Sequence, residues 1–452
     1  MAAAVVGGAV ALWGLAIGLR PMGDNSALTH LATGRYILHH GFPHHDPFAF
    51  TAQGLSWTVQ SWLAAVGMAL AERASFGHGV MLARAVLTTL LAVLAWRLTR
   101  PAGTMAGRIL AVAPVLVIGS EQWPERPLLL GLVFLALLIL AVEEERLPLW
   151  AVGVVMWLWV NSHGSFPLGL VYLGVRLVGR RLDHAPPGRL PRIAAAAGIG
   201  TLAGAMNPYG PKLLTFPLHL LARHDILARV REWRSPDFTQ RPELVIAAAL
   251  LLAAILAGRR RSWEDSLVAL VFGAAALVGQ RNLGLVAIVL APVLARGLQR
   301  LGTVRGEQRS GATAVAAAAL AAVAVLLLAN ALERPAYDLG RYPVRQLDWM
   351  QAHGLFRGRV ATQDFVGNLV ALRQGTARKV FVDDRYELYP RPLISDWFAL
   401  LDGKEGWQHR LDKYGIDAVV WERNKPLAAL LELDPAWKVV RRDKNWIVAV
   451  RR

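Results

Sequence analysis

Residues 127–142 read PLLLGLVFLALLILAV and contain no charged side chain. A helix that crosses the hydrocarbon core of a bilayer needs about 20 mostly apolar residues. A helix that is apolar on all its faces is surrounded by protein or lipid. This stretch therefore predicts a membrane-spanning helix.

Segments of this kind recur along the chain, and together they predict about eleven spanning helices. They cover residues 2–19, 79–96, 107–121, 127–142, 147–161, 165–179, 192–207, 242–258, 264–279, 283–299 and 311–332. Residues 56–72 are also apolar but end in Glu72-Arg73, which favours an interfacial or re-entrant helix.

The composition of the 452-residue chain agrees with this pattern. It is 55% apolar and 18% charged, with a mean hydropathy of +0.38, whereas soluble domains average about 45–50% apolar and about 25% charged residues. These values exclude a soluble enzyme and a disordered chain. The absence of cysteine excludes disulfides, cysteine-ligated zinc, iron–sulfur clusters and thiol catalysis.

The net charge of +17 is explained by arginines in alternate connections. If the N-terminus is cytoplasmic, the inner connections carry sixteen arginines, whereas the short outer ones carry Arg126 and Arg281. Short cytoplasmic loops are enriched in Lys and Arg, so we expect a multi-pass inner (plasma) membrane protein and no nucleic-acid partner. The inner arginines are Arg97, Arg100, Arg108, Arg146, Arg176, Arg180, Arg181, Arg189, Arg192, Arg259, Arg260, Arg261, Arg296, Arg300, Arg305 and Arg309.

Three outer segments are too long to be simple connections: 20–58, 208–241 and 333–452. The last has short β-type runs at 359–362, 379–383, 417–421 and 446–450, with helical patterns at 343–353, 394–401 and 405–414. Strands that alternate with helices predict a small α/β domain. The expected organisation is therefore a transmembrane domain over 1–332, with outer loops 20–58 and 208–241, and an extracytoplasmic α/β domain over 333–452.

The first outer loop concentrates polar residues. Asp24 precedes an apolar pattern at helical spacing, so it is a candidate N-cap, and the same carboxylate is a candidate for chemistry. A second carboxylate, Asp46, follows His44 and His45. These three residues are candidate ligands for a divalent metal, although their spacing matches no defined metal motif and solvated histidines are the favoured alternative.

Other outer turns place polar residues against helix ends, where ionisable groups are costly and often functional. They predict a shared polar cavity, with helix capping and headgroup anchoring as the alternative. The turns cover residues 121–127, 159–165, 207–210, 232–237 and 280–282.

The motifs in these segments resemble bacterial polytopic proteins related to GT-C glycosyltransferases. The similarity is carried by 24–36 with 46–51 and Trp57, by WVNSHGS at 159–165, by NPYG at 207–210, and by VFVDDRYELY at 380–389. It implies a GT-C-like fold and transfer of a hexose or pentose from a polyprenyl-phosphate carrier to an outer acceptor: a glycan, a lipid or a protein. Many members carry an acidic pair in the first loop; here Asn25 follows Asp24.

The resemblance and the chemistry of sugar transfer together assign roles to individual residues. The acceptor hydroxyl needs a base, and the leaving phosphate needs cations. Asp24, with Asp46, is the catalytic candidate, and Arg126 and Arg281 are the phosphate candidates because a guanidinium matches phosphate oxygens. The further substrate-binding candidates are Asn161, His163, Glu232, Trp233 and Asn282. The sequence identifies no cofactor with certainty, and a divalent metal is an open alternative.

Two other functional classes compete with the enzyme. A transporter or flippase of a lipid-linked glycan would place charges near the bilayer midplane, where Arg84 is the clearest candidate. A non-catalytic scaffold would keep the fold and bind a partner, an alternative that the absent acidic pair supports.

Overall fold

The computed structural model describes residues 2–299, 310–377 and 379–452. Its helices are α1 (Ala2–Gly18), α2 (Asn25–His40), α3 (Trp62–Leu98), α4 (Met105–Gln122), α5 (Pro127–Glu144), α6 (Leu149–Ser162), α7 (Phe166–Leu182), α8 (Leu190–Ala203), α9 (Lys212–Leu221), α10 (His224–Leu227), α11 (Arg241–Arg260), α12 (Trp263–Val278), α13 (Leu283–Leu298), α14 (Ser310–Glu333), α15 (Val344–Ala352), α16 (Asp364–Gln374), α17 (Arg391–Leu401), α18 (Trp407–Lys413) and α19 (Pro426–Leu433). Its strands are β1 (Val360–Ala361), β2 (Ala418–Glu422), β3 (Trp437–Arg442) and β4 (Trp446–Arg451). The fold is mainly helical with a small C-terminal sheet, as predicted.

Each of the eleven apolar segments contains a helix. Within the described residues, six helices are long and apolar enough to cross a membrane, which is the character expected of a membrane protein. The number of crossings stays a prediction, because α1, α6 and α8 are apolar but shorter. The six are Trp62–Ala102, Met105–Gln122, Pro127–Glu144, Arg241–Arg260, Gln280–Leu298 and Ala314–Glu333.

The chain divides into two compact units. Unit 1 takes its residues from 1–22, 60–64 and 70–336, and unit 2 from 23–59, 65–69 and 337–452. Residues 23–58, most of the predicted first outer loop, therefore belong to the same compact unit as the C-terminal segment, a grouping that the sequence does not predict.

Helix α13 forms the centre of unit 1 and packs against α4, α5, α11 and α12. The inner arginines contribute to this packing: Arg176 donates to Glu143 at 2.5 Å, and Arg296 binds both Glu143 and Asp265. Arg176 and Arg296, which belong to predicted inner connections, are thus largely buried and form ion pairs between helix ends. Arg300, Arg305 and Arg309 lie outside the described residues.

Unit 2 contains a four-stranded sheet in the order β1-β2-β4-β3. Strands β1 and β2 are parallel, and the other pairs are antiparallel. The prediction of a strand at 379–383 is wrong. Within the described residues this run forms one β-bridge, between Val380 and Ala49, because the segment around Ala49 is an irregular loop. The sequence also misses α16, α19 and β3. In β3 the charged residues Lys438, Arg441 and Arg442 mask the apolar alternation that is typical of a strand.

Candidate active site

Asp24 begins helix α2. Its backbone is extended and its Oδ1 accepts a hydrogen bond from the Ser26 amide at 2.9 Å, which is the geometry of an N-cap. The predicted cap is therefore confirmed. Asp24 is half-buried, and its catalytic role stays a prediction.

Asp384 approaches the same end of α2 from the C-terminal segment. It accepts hydrogen bonds from Asn25 Nδ2 at 3.4 Å, from Thr29 Oγ1 at 3.3 Å and from the Ser26 hydroxyl. Asn368 fixes both sides of this contact, because its Nδ2 donates to the Asn25 carbonyl and its Oδ1 accepts from the Asp384 amide. A helix N-terminus favours a negative charge, so the position suits a carboxylate.

Arg341 and Tyr342 complete this cluster. Arg341 Nη2 lies 3.4 Å from Asn25 Oδ1 and 3.3 Å from the Tyr342 hydroxyl. Burial raises the pKa of Tyr342; Arg341 opposes the rise, and the carboxylates of Asp24 and Asp384 add to it. The carboxylates of Asp24 and Asp384 therefore both raise the pKa of the Tyr342 phenol, which remains protonated near neutral pH. Sequence reasoning missed Arg341 and Asp384 as site residues, since their approach to α2 depends on the path of the chain.

Asp46, the second catalytic candidate, lies inside unit 2 with 1% of its surface exposed. Its Oδ1 binds Arg385 Nη1 at 2.6 Å, and its Oδ2 accepts from the Ala49 amide at 2.7 Å. Burial raises the pKa of Asp46 against the opposing charge of Arg385. Because a general base must reach its substrate, this geometry favours a structural role; the catalytic role stays a prediction.

The metal candidates do not form a binding group. No three His, Asp or Glu residues in the described parts of the chain are arranged to hold a metal ion. Asp46 is engaged by Arg385, and His45 Nδ1 lies 3.1 Å from the Gly54 carbonyl. The residues His44, His45 and Asp46 therefore do not fit a metal centre, and no chemical step below passes through one.

Unit 1 brings four predicted residues together: Glu232, Trp233 and Arg281 lie on the 3₁₀ turns Arg231–Trp233 and Gln280–Asn282, and Arg126 precedes helix α5. Arg126 Nη1 lies 2.5 Å from Glu232 Oε2. The Arg281 guanidinium lies 4.0 Å from the centre of the Trp233 ring, a cation–π geometry. The turns are joined by the Gln280 amide, which donates to the Arg234 carbonyl at 2.9 Å.

Arg281 keeps its hydrogen-bonding capacity. Within the described residues its guanidinium makes no hydrogen bond or ion pair, although it is partly buried over Trp233. Glu232, in contrast, is neutralised by Arg126. A desolvated guanidinium with open donors suits a phosphate group.

Glu243 adds a buried carboxylate that the sequence did not single out. It is 3% exposed; its Oε1 accepts from Gln280 Nε2 at 2.7 Å, and its Oε2 has no hydrogen-bond partner among the described residues. The sequence does contain a signal for Glu243, because it is a charged residue in the first turn of an apolar helix.

The three remaining substrate-binding candidates, Asn161, His163 and Asn282, form hydrogen bonds within the protein. Asn161 is fully buried between the Trp62 indole and the Trp157 carbonyl, each at 2.9 Å, and Asn282 donates to the Ala275 carbonyl at 2.8 Å. His163 Nδ1 accepts from the Ser165 amide at 3.2 Å, which leaves its proton on Nε2 in the neutral ring. Contacts of these residues with a substrate stay predictions.

Three solved structures resemble the chain as a whole. Archaeal oligosaccharyltransferase AglB from Archaeoglobus fulgidus, in complex with an inhibitory peptide and a dolichol-phosphate, aligns with a TM-score of 0.54 at 12% identity over 92% of this chain and 69% of that one. The apo form of the Archaeoglobus fulgidus oligosaccharyltransferase gives 0.55 at 13% identity over the same shares. Its complex with Zn and sulfate gives 0.51 at 12% identity over 91% and 68%.

The chain shares its overall fold with these oligosaccharyltransferase structures. No protein-family model matches the chain, and no curated protein matches it in sequence. At this low identity the structural likeness establishes the shared fold alone. Function must be argued from residues.

Proposed function

We propose that this protein is a membrane glycosyltransferase that moves a sugar from a polyprenyl-phosphate carrier to an acceptor hydroxyl. The observation that carries the proposal is the convergence of Asp24 and Asp384 at the start of α2, beside Arg341. The GT-C-like fold supports it, because the structural neighbours are oligosaccharyltransferases.

Asp24 acts as the general base in this proposal. The acceptor oxygen attacks the anomeric carbon, the bond from that carbon to the phosphate oxygen breaks, and the acceptor proton passes to the Asp24 carboxylate. Asp384 supplies the second carboxylate that Asn25 does not, and it positions the first turn of α2. General-base catalysis contributes about 10²–10⁴-fold in rate.

Arg281 and Trp233 bind the donor. The departing polyprenyl phosphate carries negative charge that a guanidinium stabilises, and the Trp233 face suits an apolar sugar surface. Arg126 holds Glu232 and thereby the turn that carries Trp233. The donor sugar is a hexose or a pentose, and the acceptor is a glycan, a lipid or a protein.

The proposed setting is the inner (plasma) membrane, with a cytoplasmic N-terminus and the C-terminal α/β segment on the outer side. The distribution of arginines among the connections supports this orientation.

The test is sugar transfer in proteoliposomes that contain polyprenyl-phosphate hexose and pentose donors. Asp24→Asn keeps the N-cap, because Asn caps as well as Asp, so we expect a folded protein with at least about 100-fold slower transfer. Asp402→Asn, at an exposed carboxylate, is the matched control and retains full activity. Normal transfer by Asp24→Asn would remove Asp24 as the base.

Failure of the wild-type protein to transfer any donor would overturn the enzyme proposal. Movement of a lipid-linked glycan between leaflets would then identify the transporter alternative, and binding of a partner without either activity would identify the scaffold.

A further inference from the structure

A basic cavity of about 380 Å³ lies in unit 2, apart from the cluster around Asp24. Ligand pockets typically measure about 300–1,000 Å³, so it has room for one sugar residue. Its lining comes from separate chain segments: Phe50, Arg357, Gly358, Arg359, Lys379, Gly415 and Asp417.

The parallel pairing of β1 and β2 builds this cavity. Val360 pairs with Ala418, so the residues just before them, Arg359 and Asp417, lie side by side at the amino ends of the two strands. The Arg359 amide donates to Asp417 Oδ2 at 2.8 Å. Gly358 is required here, because a Cβ at that position would lie 2.5 Å from the same Oδ2.

The cavity has an excess of positive charge. Within the described part of the chain, the head groups of Arg357 and Lys379 make no hydrogen bond or ion pair, and Arg359 Nη1 donates to the Tyr414 carbonyl at 3.0 Å. The sole carboxylate of the lining, Asp417, is occupied by the Arg359 backbone. Three cations therefore face one engaged carboxylate, and two of them have open donors.

An aromatic ring lines the same cavity. Phe50 is held by its amide, which donates to the Val380 carbonyl at 3.1 Å, and it stacks on Phe381 with ring centres 5.9 Å apart. A ring beside unpartnered cations suits a ligand that has both an apolar face and an anionic group. An acidic sugar, bearing a carboxylate or a phosphate, combines these two features.

We propose that this cavity binds an anionic sugar residue of the acceptor. The inference rests on the proposed function, which it deepens by naming the acceptor as an acidic glycan. Lys379 and Asp384 are five residues apart, so their Cα atoms are separated by at most ~18 Å. One oligosaccharide can therefore span from the basic cavity to the Asp384 cluster.

The test is equilibrium binding to the full-length protein in detergent, with methyl glucuronide, glucose 6-phosphate, methyl glucoside and inorganic phosphate as probes. We expect at least one of the two acidic sugars to bind at least about tenfold more tightly than methyl glucoside and inorganic phosphate; which one binds distinguishes a carboxylate from a phosphate ligand. The Arg357→Gln/Lys379→Gln variant loses about tenfold in affinity for it, whereas Arg345→Gln/Lys444→Gln, with the same charge change outside the cavity, does not.

Equal binding of methyl glucoside, equal binding of inorganic phosphate, or unchanged binding by the cavity variant would each overturn the inference. Asp24→Asn separates the two proposals, because it stops transfer and leaves this binding intact. Thermal unfolding of each variant confirms that it is folded, which we expect since Arg357 is exposed and Lys379 is half-exposed.

Discussion

Arg385 and Asp46 form a buried ion pair 339 residues apart in the chain, with Nη1 and Oδ1 separated by 2.6 Å. Arg385 also binds Asp383 at 2.6 Å and lies 4.4 Å from the Trp57 ring centre. Removing one partner of a buried pair costs about 3–5 kcal/mol. This pair therefore fastens the first outer loop to the C-terminal segment within unit 2.

We expect Asp46→Ala to destabilise the protein by about 1–3 kcal/mol, because the Ala49 amide loses its acceptor while Arg385 loses one of its two carboxylates and stays paired with Asp383. The measurement is thermal unfolding of the full chain in detergent, with Asp24→Asn as the comparison, since that variant keeps its cap. If Asp46→Ala unfolds like wild type yet loses all transfer, Asp46 is catalytic and the structural role is wrong.

Arg281 is expected to act on the donor. Arg281→Gln removes the charge over Trp233, and we expect KM for the polyprenyl-phosphate sugar to rise by about tenfold or more, consistent with loss of a charged hydrogen bond. Arg281→Lys restores part of the loss, because Lys keeps the charge without the guanidinium fork. Arg231→Gln, at an exposed arginine on the neighbouring turn, serves as control; an equal effect there would indicate general electrostatics.

Arg84 is expected to stabilise unit 1. It is 6% exposed, its Nη1 pairs with Glu125, and its Nε donates to the Gly18 carbonyl at 2.9 Å. Glu125→Leu should lower stability by about 3–5 kcal/mol, whereas adding Arg84→Met to it should recover most of the loss, because an apolar pair avoids the unpaired charge. A double-mutant cycle by thermal unfolding measures the coupling, and independent effects of the two changes would contradict it.

Asp364 should make stability depend on pH. Its carboxylate accepts from the Tyr386 hydroxyl at 2.5 Å, and burial raises its pKa above 3.8. The folded state therefore holds this proton more tightly than the unfolded chain, so its contribution to stability is present at low pH and is lost as pH rises from 3.8 through the raised pKa.

The Asp364→Asn variant removes this titration. Its melting temperature relative to wild type should therefore increase as pH is raised above 3.8 and level off once the pH exceeds the raised pKa. Asp402→Asn, at an exposed carboxylate, controls for the effect of pH on the detergent. A constant difference between Asp364→Asn and wild type over this range would show that Asp364 does not titrate there.

Local features were readable from the sequence because their cause is local. The apolar run at 127–142 forms α5, and Asp24 caps α2, since hydrophobic periodicity and capping involve residues a few positions apart. The residues Arg126, Glu232, Trp233 and Arg281 were candidates from the sequence, because all four lie in polar turns at helix ends, and the structure shows their contacts with one another.

The partners of these residues were decided by the tertiary structure. Asp384 meets Ser26, Arg385 meets Asp46, and Arg359 meets Asp417, and each contact joins segments far apart in sequence. Such pairings depend on the path of the backbone and on parallel strand pairing, which no local pattern encodes. The sequence by itself determined where the apolar helices are; the tertiary structure decided which carboxylate faces α2, which is buried, and where the cations converge.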